Sequence, residues 1–158
     1  MNNARINNEI DLTYPDGFKE MTEDDLKRHF GTAEDRWGVF DAANHTILSV
    51  NWAKLKWYRK LCDTEWYLID VEGRLKRQLL NYQRATAYKT KIASKKKNNA
   101  CAIRFEYRVN NSVNIHVGDL VVFKHKKKVY YIYYITRQPK AVELLPAFEE
   151  VLKSITLN

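Results

Sequence analysis

The sequence has little of what staples, cradles or crosses. Its two cysteines, Cys62 and Cys101, stand far apart with no Cys-x-x-Cys spacing or neighbouring histidine pair, so nothing supports a zinc site or a disulfide framework. Cys101 alternates with Ile103, Phe105 and Tyr107, which reads as a buried, reduced thiol in a strand. Five glycines leave scant material for a phosphate cradle, and the Gly-x-x-x-x-Gly-Lys, Gly-x-Gly-x-x-Gly, Gly-x-Ser-x-Gly and His-Glu-x-x-His patterns are all missing. No stretch approaches the ~20 apolar residues that a membrane-crossing helix needs, and Met1 to Asp11 lacks a basic start followed by an apolar run. The expectation is a cytoplasmic protein as written, or an exported one if a signal segment preceded it. There is no internal repeat and no low-complexity linker. Residues 1–158 are therefore expected to form a single domain, with 1–9 as a flexible lead-in.

Charge is abundant and unevenly spread. The net charge is +8, yet Met1 to Asp41 holds 10 acidic against 5 basic residues, while Ala42 to Asn158 holds 9 acidic against 22 basic. Either a negatively charged partner or an acidic N-terminal element lying across a basic body would account for this.

Glu9 to Tyr14 alternates polar and apolar residues and stops at Pro15-Asp16-Gly17, a short strand ending in a turn. A helix follows with both ends written down: Thr22 as N-cap, Asp25 reaching back, Met21 and Leu26 as a hydrophobic staple, and Gly31 as the stop. Glu23, Asp24 and Asp25 are then capping carboxylates, favoured at the positive end of the helix dipole, and not a metal cluster. Trp37–Phe40 and Thr46–Trp52 read as a hairpin. From Thr64 to about Leu80, the three- and four-residue spacing of Leu68, Val71, Leu75 and Leu79 predicts a helix capped by Thr64.

Four extended segments come next. Two alternate as half-buried strands, around Thr86–Ile92 and Cys101–Val109; the third becomes apolar on both faces at Leu120–Phe123. The fourth, Val129–Thr136, carries apolar side chains on both faces throughout, which places it in the middle of a sheet covered above and below. A closing helix is predicted from about Glu143 to Ser154, with Pro146 in its first turn. Helices of useful length on a largely antiparallel sheet make an α+β layered sandwich.

The order of elements, with "LTYPDGFKEMTEDDLKRHFG" near the start and "AFEEVLKSI" at the end, resembles the PsbP-like superfamily, and within it the bacterial-type members. The likeness spans Asp11 to Ile155. It implies an α/β/α sandwich and a non-enzymatic binding or accessory domain that contacts another protein. It transfers no active site, and the lipid-attachment cysteine of exported bacterial members is missing.

No catalytic residue, metal site or cofactor is expected. His29, His45, His116 and His125 are scattered over a helix end, a turn, a strand face and a hairpin tip. Two groups remain as candidates. Lys95, Lys96 and Lys97, with Lys124, Lys126, Lys127 and Lys128 around His125, sit at strand ends where lysine ordinarily keeps a sheet soluble. Converging, they would give salt-sensitive binding of nucleic acid or another anion. Neither group contains arginine, which makes the forked phosphate contacts. The second group is "NWAKLKWYRKL", where Trp52, Trp57 and Tyr58 interleave with basic residues. Its rings are expected to cover the sheet; if they are exposed instead, the segment is a protein-docking loop.

Overall fold

A computed structural model describes residues 1–59, 61–92, 98–109 and 113–158. Seven strands form the main sheet in the order β3-β4-β5-β9-β8-β7-β6, and every neighbouring pair is antiparallel. They are β3 (Lys19–Glu20), β4 (Arg36–Asp41), β5 (Thr46–Lys54), β6 (Leu80–Ile92), β7 (Asn98–Arg108), β8 (Ile115–His125) and β9 (Lys128–Arg137). The strand apolar on both faces, β9, is the central one of the seven, and its tyrosines are largely core: Tyr130 and Tyr134 are fully buried. The long edge strand β6 breaks its register with β7 twice and keeps most of its side chains exposed, features that discourage pairing with another sheet.

Helix α1 (Glu23–Phe30) follows the sequence closely because its signals are local. The Asp25 N–H donates to Thr22 Oγ1 (3.2 Å), the Thr22 N–H donates to Asp25 Oδ2 (3.0 Å), and Gly31 ends the helix at φ 79°. Met21 and Leu26 pack down onto Gly38 of β4.

Helix α2 (Thr64–Gln78) begins one residue earlier in its capping than the sequence suggested: Asp63 is the N-cap and Thr64 is the first helical residue. The chain turns directly from α2 into β6, so β6 starts well before Thr86. Leu68, Val71 and Tyr67 pack on Ile103, Phe105, Leu120 and Val122 across one face of the sheet. Glu72, only 2% exposed, ties the helix to β6 through Arg84 and to its own next turn through Lys76 (3.0 Å). Burial alone would raise the Glu72 pKa, but the hydrogen bonds from Arg84 and Lys76 outweigh it and hold the carboxyl below its ordinary value. Gly73 has no packing excuse, because a Cβ there would meet nothing nearer than Arg77 Nη1 at 3.7 Å. Gly73→Ala is therefore expected to stabilise the fold by about 1 kcal/mol, read as a higher denaturation midpoint in urea.

Helix α3 (Gln138–Ser154) starts five residues before its expected position. Pro139, and not Pro146, occupies the first turn. Pro146 lies inside the helix on its exposed side near Val142, which is 89% exposed, so water can serve the carbonyl that a proline leaves unpaired. Ala141, Leu145, Phe148, Val151 and Leu152 pack on the opposite face of the sheet, with Phe148 stacked on Tyr134 at 4.9 Å.

Beside α3, in the same layer, lies a second sheet of β1 (Asn2–Ile6), β2 (Ile10–Tyr14) and β10 (Thr156–Leu157) in the order β1-β2-β10. The expected flexible lead-in of residues 1–9 is thus a strand and a turn. Ile6, Ile10 and Leu12 are buried, Asn7 Nδ2 donates to the Tyr130 hydroxyl, and Glu9 accepts from Lys128 (2.6 Å) and from Tyr130. Part of the N-terminal acidity does lie across the basic body. The layers are then α1 and α2, the seven-stranded sheet, and α3 with the small sheet: an α+β, α/β/α sandwich. No helix among the described residues is long and apolar enough to cross a membrane.

Candidate functional site

Beyond β5 the chain leaves the sheet at Leu55, makes a single 3₁₀ turn at Trp57–Arg59, and enters α2. That crossing is held at its base by the β8–β9 hairpin. Lys54 stands opposite Lys128, the Leu55 N–H donates to the Lys127 carbonyl (2.9 Å), and Lys124 Nζ donates to the Cys62 carbonyl (2.8 Å). Above this frame the backbone is closed by local bonds: Arg59 N–H to the Lys56 carbonyl and Cys62 N–H to the Arg59 carbonyl, with the Tyr67 hydroxyl donating to the same Arg59 carbonyl at 2.7 Å.

A supported backbone here carries unsupported side chains. Trp57 is 80% exposed, Tyr58 55% and Leu61 95%. The expected cover over the sheet is not formed, because the 3₁₀ turn points these rings outward while Leu55 and Cys62 make the inward contacts. Trp57 and Tyr58 meet edge to face at 5.8 Å, and the Arg59 guanidinium spans from the Tyr58 ring (5.7 Å) to the Trp66 ring (4.9 Å). Trp66 and Ile69, also exposed, share one side of α2 at a three-residue spacing. The result is an aromatic platform running from the crossing onto the helix. Leu61, Trp66 and Ile69 were missed by sequence reasoning, although an exposed Trp and Ile on the non-core side of α2 were visible in its spacing.

The third residue of the docking group does not join this surface. Trp52 is half-buried on the other face of the sheet, tilted against Tyr130 at 6.2 Å and packed on the core of that face. Strand alternation sends it there: in β5, Trp52 shares a face with Leu48 and Val50.

The lysines divide as well. Lys95, Lys96 and Lys97 lie outside the described residues. Lys124 is committed to Cys62 and Lys128 to Glu9, whose carboxyl is raised by burial but held below its ordinary pKa by Lys128 and Tyr130. Lys126 and Lys127 remain exposed at the hairpin tip. Lys126 adopts φ 43°, where glycine or asparagine would sit at lower cost. With exposed Lys54 and Lys56, and Arg59 among the rings, these side chains give the platform a basic margin.

No protein-family model matches this chain, and no curated protein does. Its fold is nevertheless shared. The cyanobacterial PsbP (CyanoP) of Synechocystis sp. PCC 6803 superposes with a TM-score of 0.69 at 11% identity, covering 99% of this chain and 92% of that one. LpqN, involved in cell envelope biogenesis of Mycobacterium tuberculosis, gives a TM-score of 0.65 at 16% identity, with coverage of 94% and 83%. The Ran-binding protein Mog1p of Saccharomyces cerevisiae gives 0.62 at 9% identity, with coverage of 98% and 95%. The layered architecture and these likenesses agree with the resemblance drawn from the sequence: this chain has the PsbP-like fold.

Proposed function

We propose that the chain is a non-catalytic binding or accessory domain that docks a protein partner on the Trp57 platform, the partner presenting apolar side chains ringed by carboxylates. The carrying observation is the exposure of Trp57, Tyr58 and Leu61 on a backbone that hydrogen bonds hold in place. Large apolar side chains clustered on the surface of a soluble domain mark interaction sites, and Trp, Tyr and Arg are the residues enriched at binding hot spots. The basic margin supplies the charge preference and would steer an acidic partner toward the rings. That Mog1p is a Ran-binding protein supports the reading that this fold serves for docking.

A photo-crosslinking phenylalanine at position 57, expressed in the native host, tests it. A discrete adduct is expected that disappears when Leu61→Asp or Tyr58→Ala is added and that does not form from the same probe at exposed Val142. Equal labelling from both positions would reject the platform.

A second reading, nucleic-acid or anion binding through the hairpin lysines, rests on exposed Lys126 and Lys127. With two phosphates neutralised, log K should fall against log salt with a slope of only about −1.8 on duplex DNA, roughly a tenfold loss between 50 and 200 mM. Oligonucleotide binding with about that slope, abolished by changing Lys126 and Lys127 to Gln, would favour this reading over protein docking.

A further inference from the structure

The face of the sheet that carries α1 and α2 is not closed between them. A cavity of about 800 Å³ opens there, within the range of small-molecule sites. Its apolar lining includes Phe30 of α1, Leu79 at the end of α2, and Phe40, Phe105, Tyr133 and Ile135 on the strands. Tyr133, Ile135 and Arg137 are alternate residues of β9 and so share a face, an aromatic and an aliphatic side chain leading to a cation.

Among the described residues, the arginines of this cavity have no paired anion. The Nε atoms of Arg36 and Arg137 are buried without a hydrogen-bond partner, and among the described residues neither guanidinium forms an ion pair. Arg36 rests over the Phe30 ring at 4.3 Å, and burial pulls its pKa below the ordinary value. The carboxylate lining the cavity, Asp41, is already occupied by the Ala43 and Asn44 backbone N–H groups and by Asn44 Nδ2. His29, His45 and His116, distant in sequence and on separate elements, all line this cavity. His116 stands directly across from Arg137 in the β8–β9 ladder, its pKa lowered by burial and by the Arg137 charge. Both arginines are half-buried, and the planar fork of a guanidinium matches an oxyanion.

We propose that this cavity binds an amphipathic organic anion, its oxyanion head on Arg137 beside His116 and its flat or aliphatic body along Ile135, Tyr133 and Phe105. The assignment is independent of the Trp57 platform. It calls on no reaction, only on the pairing of an apolar, ring-lined slot with guanidinium groups that form no ion pair among the described residues.

Two fluorescent probes test it: anilinonaphthalene sulfonate, which has an aromatic body and an anionic head, and N-phenyl-1-naphthylamine, which has the body alone. The sulfonate is expected to saturate at one equivalent and to bind at least about tenfold more tightly than the neutral probe. Arg137→Gln should remove that difference, whereas Trp57→Ala should leave it intact. On the unsubstituted protein, amide shifts caused by the sulfonate should centre on the Arg137 end of β9, on β8 near His116 and on Leu79. This mapping decides the matter even if Arg137→Gln fails to fold. Equal affinity for the two probes, sulfonate binding unchanged by Arg137→Gln, or shifts centred on Trp57 and Trp66 would each overturn the proposal.

Discussion

Replacing Arg104 with leucine is expected to destabilise the protein by about 3 kcal/mol. Arg104 on β7 stands directly across from Asp119 on β8, and its guanidinium donates Nε–H to Oδ1 at 2.8 Å and Nη2–H to Oδ2 at 2.9 Å. The Asp119 carboxylate is 1% exposed. Its hydrogen bonds raise the Arg104 pKa, so the guanidinium stays charged at every pH at which the fold is studied. Leucine would leave a buried carboxylate with neither water nor a counter-charge. Breaking such a pair costs roughly 3–5 kcal/mol, and the low end applies because the Arg104 side chain keeps 34% of its surface in solvent. A second change that removes the stranded charge, Arg104→Leu with Asp119→Leu, should recover most of the loss, since the pair is not worth much more than apolar side chains of similar volume. Urea unfolding of both variants checks this. A loss below about 1 kcal/mol for Arg104→Leu alone would mean that water reaches Asp119 and the site is not closed.

That pair was not legible in the sequence, where Arg104 stood on the polar side of an alternating strand and Asp119 came just before the run that is apolar on both faces. What was legible was local. The Thr22–Asp25 capping box and Gly31 determine α1 within ten residues, and the two apolar faces of Val129–Thr136 demand a central strand whatever their neighbours. What failed was non-local or ambiguous. Asn2–Ile6 carries three asparagine or arginine side chains in five residues, and it is a strand only because β2 offers it a ladder and Tyr130 and Lys128 hold its turn. Pro146 was given the helix start because a proline is best tolerated there, but Pro139 holds that position and the helix continues through the second proline on its wet side.

The candidate surfaces show the same division. The aromatic and basic character of "NWAKLKWYRKL" was plain, but whether its rings turn in or out depends on the side from which the chain leaves β5. The union of that segment with the Lys126–Lys127 tip depends on the pairing of β5 with β9, more than seventy residues apart in sequence. The cavity was further from view. Its three histidines and two arginines come from α1, β4, β8, β9 and the β4–β5 turn, and no spacing along the chain could have gathered them.

The cavity also depends on a glycine. A Cβ on Gly118 would stand 2.6 Å from Phe105 Cζ and within 3.1 Å of two further ring carbons. Phe105 lies directly across from Gly118 in the β7–β8 ladder and lays its ring flat over it, an aromatic side chain covering the strand surface that glycine leaves bare. The ring has no easy retreat: it is fully buried and stacked between Tyr82 at 5.5 Å and Tyr107 at 6.0 Å. Gly118→Val is therefore expected to cost about 3 kcal/mol or more, at the upper end of overpacking penalties. Gly118→Ala should cost less and displace the ring toward the open space that remains, the cavity itself. The alanine variant should then bind anilinonaphthalene sulfonate less well than the parent while unfolding in a single cooperative transition. Pairing it with Phe105→Leu should relieve the clash, because the smaller side chain vacates the ring position. Non-additivity of the two changes in urea unfolding is the quantity to measure. Strict additivity would mean that the ring and the glycine do not constrain one another and that the floor of the cavity is set elsewhere.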